Sequence, residues 1–389
     1  MIPYGRQDIT PADVEAVVAA LRSDFLTQGP AVPRFEGAVA ERVGARHAVA
    51  VNSATSALHI ACLALGLGKG DLLWTVPNTF VASANCARYC GADVDFVDID
   101  PLTWNMSVTA LEARLVQAKR LGRLPKIVVP VHFAGQPTEQ EAIASLAREY
   151  GFKIVEDASH SIGATRNGEP VGNSRWSDIT IFSFHPVKIV TSGEGGMALT
   201  NDGALAESMR MLRAHGITRE AHRFHEPTAR ANPPAWYYEQ QMLGFNYRIT
   251  DLQAALGTSQ LTRIDAYIER RNELAGVYTS ALRALPLQLP VVQPGNRSAF
   301  HLYVVRCPIA GRQERRAVFD ALRAAGIGVN LHYLPVHLQP YYREQGFCVG
   351  QFPEAENHGA TAITLPLFPA MTDPQQHQVV EALRQALAQ

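Results

Sequence analysis

The sequence predicts an α/β domain with a mostly parallel sheet, followed by a smaller α+β domain. Between residues 47 and 200, short apolar runs alternate with helical stretches, as expected for strands joined by crossover helices. Short hydrophobic strands that alternate with helices are typical of a mostly parallel sheet. Beyond about residue 286 this regular alternation ends. We therefore expect a large domain over residues 1–250, and a linking helix with the smaller domain over residues 251–389.

The first predicted element is a helix that begins at Thr10-Pro11-Ala12-Asp13 and runs to about Arg22. Threonine is a good N-cap, proline suits the first helical position, and an acid in the first turn complements the helix dipole. The strands of the large domain are predicted near residues 47–51, 72–76, 93–97, 126–131, 153–156 and 178–184. The helices between them are predicted near residues 56–66, 79–90, 108–119 and 138–150. Ligands of such folds bind at the carboxyl ends of strands, so residues that follow the apolar runs are the candidates for a site.

The second half of the chain is less regular. Residues 213–240 are rich in His, Arg, Pro and Tyr without periodicity, so we expect a long loop that is either functional or mobile. A helical pattern resumes over residues 250–284. The smaller domain is predicted to contain strands near residues 300–307 and 327–333 and helices at residues 312–325 and 374–388.

The composition excludes several classes of function. The 35 lysines and arginines balance 36 aspartates and glutamates, so the chain has no overall attraction to nucleic acid or an anionic membrane. Five dispersed cysteines without CxxC spacing argue against a zinc or redox site, and we expect no bound metal. The start lacks a signal-peptide pattern and no stretch is apolar enough to span a bilayer, so we expect a cytoplasmic protein.

Lys188 is the most informative residue. It lies just past the apolar run at residues 178–184 and is followed by Ser192-Gly193-Glu194-Gly195-Gly196. A lysine on a loop past a buried strand, next to glycines that let the backbone approach a ligand, suits a Schiff-base amine. A solvated surface lysine is the alternative interpretation.

Other polar segments also follow predicted strands. The segment from Asn52 to His59 places hydroxyl side chains at a helix N-terminus, where free amides bind anions, although an ordinary helix cap has the same pattern. Phe80 can cover one face of an aromatic ligand, with core packing as the alternative. Ser183 and His185 precede Lys188 closely enough to contact a phosphate and line the same site.

Asp157 follows the run at residues 153–156, and a carboxylate there can keep a pyridine nitrogen protonated. A helix cap or a Mg²⁺ ligand is the alternative, but the absence of a phosphate-cradling GK[ST] loop disfavours metal-dependent phosphoryl chemistry. His160 is placed to hydrogen-bond a ring hydroxyl, or is a structural histidine. Together these features predict a site for pyridoxal 5′-phosphate.

The order of these motifs resembles the DegT/DnrJ/EryC1/StrS family of sugar-nucleotide aminotransferases over nearly the whole chain. The matching segments run from Leu26 to Pro30, Asn52 to His59, Glu156 to His160, Phe182 to Lys188, Gly193 to Gly196, Arg213 to Gly216 and Gly244 to Arg248. The resemblance implies the fold type I of pyridoxal phosphate enzymes, which is similar to aspartate aminotransferase.

The resemblance also implies a role for each matched residue. Lys188 would carry the cofactor as a Schiff base, Asp157 would pair with the pyridine nitrogen, and His160 would lie near the ring hydroxyl. Further cofactor contacts are implied for Thr55, Ser56, Phe80, Ser183 and, from the neighbouring subunit of a homodimer, Asn246. Substrate contacts are implied for Thr27, Gln28, His185, His215, Arg248, His332 and Tyr333.

The implied reaction is a ping-pong transamination from L-glutamate, through pyridoxamine phosphate, to C4 of a UDP-linked 4-keto-6-deoxy-N-acetylhexosamine. A dTDP- or GDP-linked ketone would use the same cofactor residues, and a non-catalytic cofactor-binding scaffold is a further alternative. A nicotinamide-dependent oxidoreductase is disfavoured, because the GxGxxG fingerprint is absent after the first strand. The segment Gly328-Val329-Asn330-Leu331 departs from the pattern expected for the UDP-sugar enzyme, so the identity of the sugar stays open.

Overall fold

The computed structural model describes residues 1–307 and 312–388. Its strands are, in chain order, β1 (His47–Val51), β2 (Leu72–Thr75), β3 (Asp93–Phe96), β4 (Ile127–Val129), β5 (Lys153–Asp157), β6 (Thr165–Arg166), β7 (Glu169–Pro170), β8 (Ile179–Ser183), β9 (Gly196–Thr200), β10 (Ile217–Thr218), β11 (Glu239–Gln240), β12 (Asn296–Arg297), β13 (Tyr303–Arg306) and β14 (Ala362–Leu365). Its α-helices are α1 (Pro11–Leu21), α2 (Ala31–Val43), α3 (Ala54–Ala64), α4 (Ala82–Tyr89), α5 (Val108–Leu121), α6 (Gln140–Tyr150), α7 (Gly203–Leu212), α8 (Pro227–Ala231), α9 (Asp251–Leu261), α10 (Ile264–Leu282), α11 (Arg312–Ala324), α12 (Pro340–Arg343), α13 (Pro353–Thr361) and α14 (Asp373–Leu387).

Seven strands of the described chain form one mixed sheet in the order β1-β9-β8-β5-β4-β2-β3. Neighbours from β8 to β3 are parallel, whereas β9 is antiparallel to both β1 and β8. β1 therefore points the same way as the parallel strands. The prediction of a mostly parallel sheet is confirmed, and the carboxyl ends of β1, β2, β4, β5 and β8 meet at one edge.

Helices cover both faces of this sheet, and each face has its own apolar core. Along β8, Ile181 packs into one core with Leu58 and Trp74, whereas Phe182 packs into the other with Phe35. This alternation follows from the two-residue period of a strand. It explains why apolar residues occur on both faces of this strand, since both faces are buried.

A third core, here called the C-terminal core, forms beyond the sheet. It draws on α10, α11, α14 and the antiparallel pair of β13 and β14, and it contains Leu274, Tyr303, Leu322 and Ile363. Ile2 from the start of the chain joins it. The division of the chain after residue 250 stays a prediction.

Several elements differ from the sequence-based expectations. β9 and α2 were not predicted, and residues 213–240 contain the short elements β10, α8 and β11 instead of an unstructured loop. The strand expected near residues 327–333 is wrong: in this described segment only isolated bridges form, such as that of Asn330 with Thr364. The strand that pairs with β13 is β14, which lies directly after α13 and has no turn signal to separate it.

Candidate active site

A cavity of about 860 Å³ opens at the sheet edge where the strands end. The predicted residues that line it are Thr55, Ser56, Phe80, Asp157, His160, Ser183, His185, Lys188, His332 and Tyr333. These residues are distant in sequence and share only their positions after strands or in the segment before α12. The sheet brings the strand-end residues together at one edge, as expected for ligand sites in such folds, and the segment before α12 adds His332 and Tyr333.

Lys188 lies in a turn beyond β8, where its N–H donates to the His185 carbonyl (2.9 Å). Burial lowers the pKa of its amine from 10.5 to about 8, although the nearby Asp157 carboxylate raises it. An amine with this pKa has a substantial free-base fraction near neutral pH. It can therefore act both as a nucleophile and as a proton carrier.

Asp157 is the last residue of β5 and is 6% exposed. Its Oδ2 accepts a hydrogen bond from Ser83 Oγ (2.6 Å), and its Oδ1 accepts one from the Ser159 N–H (3.1 Å). Thr79 Oγ1 lies 2.8 Å from Ser83 Oγ. Because the Ser83 proton is directed to the carboxylate, Thr79 is the donor in this second bond. The pair of hydroxyls fixes the carboxylate at the wall of the cavity.

Glu156, the neighbour of Asp157, faces away from the cavity because successive strand residues point to opposite faces. Its carboxylate accepts hydrogen bonds from Gln140 Nε2 (2.5 Å) and Thr180 Oγ1 (2.8 Å). Burial alone would raise the pKa of Glu156, but the hydrogen bonds and the nearby His132 hold it below its ordinary value. Glu156 therefore tethers β5 to its neighbours, while Asp157 faces the ligand.

His160 is held by both ring nitrogens. The Ala134 N–H donates to Nδ1 (3.2 Å), so the ring proton is on Nε2, which lies 3.2 Å from Tyr333 Oη. Burial, with the charge of Lys188, keeps the pKa of His160 well below its usual value, and the ring is neutral. His160 therefore donates to Tyr333, whose hydroxyl keeps its own proton for a ligand. The predicted contact of His160 with a ring hydroxyl stays a prediction, and Tyr333 is the better-placed donor.

The predicted phosphate-binding segment begins α3. Ser53 is the N-cap, and its Oγ accepts from the Ser56 N–H (3.1 Å), while Ser56 Oγ donates to Asn52 Oδ1 (2.7 Å). Thr55 and Ser56 face the cavity at this helix N-terminus, where the amides and the helix dipole favour an anion.

Two of the glycines after Lys188 pack closely against other parts of the protein. A Cβ on Gly196 would lie 2.4 Å from the backbone of Ser53, so this glycine lets β9 approach the turn that precedes α3. A Cβ on Gly195 would lie 2.3 Å from Ser192 Oγ. Both glycines permit close packing of the protein against itself, which positions the phosphate-binding turn.

Phe80 lies at the mouth of the cavity and is 58% exposed. Its ring centroid is 6.4 Å from that of Tyr333. An aromatic ring this exposed is free to cover a flat ligand, whereas a core residue would be buried. The core-packing alternative is therefore disfavoured.

Five predicted site residues lie outside the cavity of this chain. Thr27, Gln28, His215, Asn246 and Arg248 are absent from its lining. Bridges join Thr27 to Thr250 and Ala214 to Asn246, which places most of this group on neighbouring segments of the surface. Their roles stay predictions.

Among the cavity residues that the sequence analysis missed are Tyr4, His301 and Asn330. His301 is 4% exposed, its ring centroid is 4.5 Å from that of His160, and its Nδ1 has no hydrogen-bond partner among the described residues. Tyr4 carries no local signal, because the start of the chain reaches the cavity only through long-range contacts. Asn330 lies in the Gly328-Val329-Asn330-Leu331 segment, and the only feature of the sequence that drew attention to it was the departure of this segment from the expected pattern.

The site has the features of a pyridoxal phosphate enzyme: a reactive lysine, a carboxylate on the adjacent strand and an anion site at a helix N-terminus. The chain matches the DegT/DnrJ/EryC1/StrS aminotransferase family over residues 7–384. It belongs to this family and is a pyridoxal-phosphate-dependent aminotransferase, as its sequence predicted.

Three similar proteins illustrate the relationship. The spore coat polysaccharide biosynthesis protein SpsC of Bacillus subtilis is 38% identical over 387 residues, which cover 98% of this chain and 96% of SpsC. The putative sugar aminotransferase Spr1654 of Streptococcus pneumoniae, in its PMP form, has a TM-score of 0.91 and 28% identity, covering 100% of this chain and 99% of that chain. PseC of Helicobacter pylori, an aminotransferase involved in the biosynthesis of pseudoaminic acid, has a TM-score of 0.89 and 27% identity, covering 100% of this chain and 99% of that chain.

Spr1654 is also similar in its PLP form, with a TM-score of 0.89. The PLP and PMP forms of this relative agree with pyridoxal phosphate as cofactor and pyridoxamine phosphate as intermediate. Within the described parts of the chain, no helix is long and apolar enough to cross a membrane.

Proposed function

We propose that the protein transfers the amino group of L-glutamate to C4 of a UDP-linked 4-keto-6-deoxy-N-acetylhexosamine. This is the reaction of the UDP-4-amino-4,6-dideoxy-N-acetyl-β-L-altrosamine transaminase of the pseudaminic acid pathway. The observation that carries the aminotransferase chemistry is the pairing of Lys188, whose pKa is about 8, with Asp157 in one cavity. The similarity to PseC over the whole chain supports the choice of sugar.

The residues of the cavity divide the tasks of this chemistry among them. When bound, pyridoxal phosphate supplies an electrophilic aldehyde and an electron sink for the pair released from a substrate carbon. Asp157 would hold the pyridine nitrogen in its protonated form, and Thr55, Ser56 and Ser183 would hold the phosphate. Phe80 would cover the ring. The Lys188 amine would carry the proton between the reacting carbons, first away from glutamate and later to C4 of the sugar.

The anion of the amino donor and the sugar nucleotide must both enter from the open side of the cavity. His185, which is exposed at the cavity beside Lys188, is available to meet either ligand. The five cysteines, all within the described residues, are free, which agrees with a cytoplasmic location.

We further propose that the enzyme is a homodimer in which Asn246 and Arg248 enter the cavity of the partner. Both residues lie outside the cavity of their own chain. Nearby, Trp236 is 83% exposed and Leu243 is 80% exposed, an apolar surface that a second subunit would cover. Thr27, Gln28 and His215 would contact the substrate from the same surface.

Subunit complementation tests this dimer. Lys188→Ala and Asn246→Ala proteins are each expected to be inactive, and mixing them under exchange conditions is expected to restore activity. Restored activity requires that Asn246 of one chain serves Lys188 of the other. If Lys188 and Asn246 of the same chain served one cavity, every mixed dimer would contain two defective sites and no activity would return.

The absorption spectrum of the cofactor tests the reaction. The visible band of the holoenzyme is expected to disappear with L-glutamate and to return with the UDP-linked 4-keto-6-deoxy-N-acetylhexosamine. No loss of the band with glutamate would contradict the amino donor. Loss without return would leave an aminotransferase with a different sugar.

A second candidate is a dTDP- or GDP-linked 4-keto sugar. The chain is also 38% identical to SpsC, a spore coat polysaccharide biosynthesis protein, which supports keeping a sugar other than that of the PseC pathway as a candidate. Competition decides between the two: UDP-, dTDP- and GDP-sugars are compared as inhibitors of the second half-reaction. Inhibition by the UDP-sugar at the lowest concentration supports the first candidate.

A further inference from the structure

The start of the chain reaches the cavity by crossing the C-terminal core. The Ile2 N–H donates to the Gly326 carbonyl (2.9 Å), and the Ile2 carbonyl accepts from the Gly328 N–H (2.6 Å). The Tyr4 carbonyl accepts from the Leu367 N–H (3.1 Å), and the Tyr4 side chain lines the cavity. These bonds fix residues 2–4, here called the N-terminal strap, against the cavity wall.

The Tyr4 and Asn330 side chains line the same cavity. Asn330 Oδ1 accepts from the Leu331 N–H (2.8 Å), so its Nδ2 group is the one available as a donor. Burial raises the pKa of the Tyr4 hydroxyl, with an opposing contribution from Asn330. Tyr4 is therefore a neutral phenol that can donate its proton to a ligand.

His332 completes this part of the wall. Its ring centroid is 5.6 Å from that of Tyr4, and its Nδ1 lies 2.8 Å from Thr364 Oγ1. Nε2 is thus the nitrogen available to a ligand. Burial lowers the pKa of His332 to about 3, with a contribution from the charge of Lys188, so the imidazole is neutral.

We propose that Tyr4, Asn330 and His332 form a neutral subsite that binds hydroxyl or acetamido groups of the substrate sugar ring and not the amino donor. This inference rests on the proposed function. A ping-pong transaminase binds a dicarboxylate and an uncharged sugar ring in turn in one cavity. Neutral donors and acceptors match the needs of a sugar substituent, whereas a carboxylate is bound more strongly by a cation. The subsite therefore acts in the second half-reaction only.

Gly328 is the residue that permits this arrangement. A Cβ at this position would lie 2.7 Å from the Ile2 carbonyl oxygen and 3.1 Å from Pro3 Cα. The N-terminal strap thus docks on the Gly328-Val329-Asn330-Leu331 segment, which departs from the pattern expected for the altrosamine enzyme. That segment therefore holds the N-terminal strap in place and also contributes Asn330 to the proposed sugar subsite.

The test measures the two half-reactions separately by the absorption of the cofactor. Tyr4→Phe keeps the ring and removes the hydroxyl, and Asn330→Ala removes the amide. Each is expected to slow amination of the keto sugar by about tenfold, as for the loss of one hydrogen bond, with an unchanged rate for glutamate. The double variant is expected to lose less than the product of the two single losses, because neighbouring side chains of one subsite are coupled.

Binding provides a readout that does not depend on turnover. UDP-N-acetylglucosamine, which lacks the ketone, is titrated calorimetrically into the wild-type and Tyr4→Phe holoenzymes. Weaker binding to the variant supports the subsite. Gly328→Ala changes no side chain of the cavity itself, but its Cβ would displace the strap and with it Tyr4, so it is expected to give the same selective loss.

Equal losses in both half-reactions, or no loss in either, would overturn the subsite. If the wild type aminates a keto sugar and Tyr4→Phe does so equally well, only the subsite is wrong. If the wild type neither binds UDP-N-acetylglucosamine nor aminates any UDP-, dTDP- or GDP-linked keto sugar, both the subsite and the proposed function are wrong.

Discussion

The cavity has two walls of different origin. The strand-end wall consists of Ser56, Asp157, Ser183 and Lys188, which lie at or just beyond the carboxyl ends of β1, β5 and β8. The strap wall consists of Tyr4, Asn330 and His332, and it depends on contacts between the start of the chain and residues beyond 325. The strand-end wall carries an amine and a carboxylate, whereas the side chains of the strap wall are neutral.

This difference separates chemistry from selectivity. The strand-end groups act on the cofactor, which every substrate of the enzyme uses. The strap wall contains none of the groups assigned to the cofactor, so we expect that it can change without altering that chemistry. Variants in the strand-end wall should therefore damage both half-reactions, whereas variants in the strap wall should damage only the one that uses the sugar.

The largest effect is expected for Lys188→Ala. Without the amine, no side chain at this position can carry the proton between the reacting carbons, and multiple-turnover transfer should fall by at least about 10³-fold. Turnover is followed by the release of 2-oxoglutarate. Lys188→Arg is the matched control: it keeps a positive charge, but a guanidinium is not deprotonated near neutral pH, so it should be similarly inactive.

The outcome of the control is decisive. An active Lys188→Arg protein would mean that charge, and not a free base, is what the site requires. Sustained turnover by Lys188→Ala would contradict the role of Lys188 as the proton carrier of the reaction.

The second largest effect is expected for Asp157→Asn. The amide cannot hold the pyridine nitrogen protonated, and both half-reactions should slow by about 10²- to 10³-fold, as for the loss of a preorganised electrostatic group. Stopped-flow absorption of the cofactor measures each half-reaction. A loss confined to one of them would contradict the assignment.

Glu156→Gln is the matched control for Asp157→Asn, because the two carboxylates are adjacent on β5 but face opposite ways. Its buried hydrogen bonds from Gln140 and Thr180 would be disrupted, so the free energy of unfolding should fall by about 1–3 kcal/mol. The activity of the folded protein should change little. Denaturant titration measures the stability, and a loss of activity as large as that of Asp157→Asn would break the distinction between the two faces.

The two walls also differ in how far the sequence could predict them. Lys188 and Asp157 follow apolar runs, and the hydrophobic pattern alone indicates that strands end there. Tyr4 could not be found in this way, because its place depends on bonds to Gly326, Gly328 and Leu367, none of which has a local signature. His301 lies in a turn before β13 whose carbonyls are held by the buried Arg271 on α10 (3.2 Å to the His301 carbonyl).

The fold shows the same limit. The parallel strands were predicted, because each is an apolar run between helices. β9 was not predicted, because it begins at Gly196, the last of the glycines that were interpreted as a loop close to a ligand. Its position depends on the close approach of Gly196 to Ser53, which is a tertiary contact and not a pattern in the sequence.

A smaller effect is expected from pH. Because burial lowers the pKa of Lys188 to about 8, its free base is lost as the pH falls below 8. The rate at which the apoenzyme forms a Schiff base with added pyridoxal phosphate should therefore slow by about tenfold per pH unit below this value and level off above it. The Asp157 carboxylate raises the pKa of Lys188, so in Asp157→Asn the midpoint should move to lower pH. An unchanged midpoint would show that the two groups are not coupled.

The smallest effect is expected for Ser83→Ala, which removes the 2.6 Å hydrogen bond to Asp157 Oδ2. The carboxylate keeps the Ser159 N–H and its place on β5, so the half-reactions should slow by only about 3- to 10-fold, as for one hydrogen bond. Thr79→Val, which changes only the partner of Ser83, should have a smaller effect still. Both variants act through Asp157, so neither should add to Asp157→Asn in a double-mutant cycle. Additive losses would mean that Ser83 meets the ligand directly, and the strand-end wall would then extend to α4.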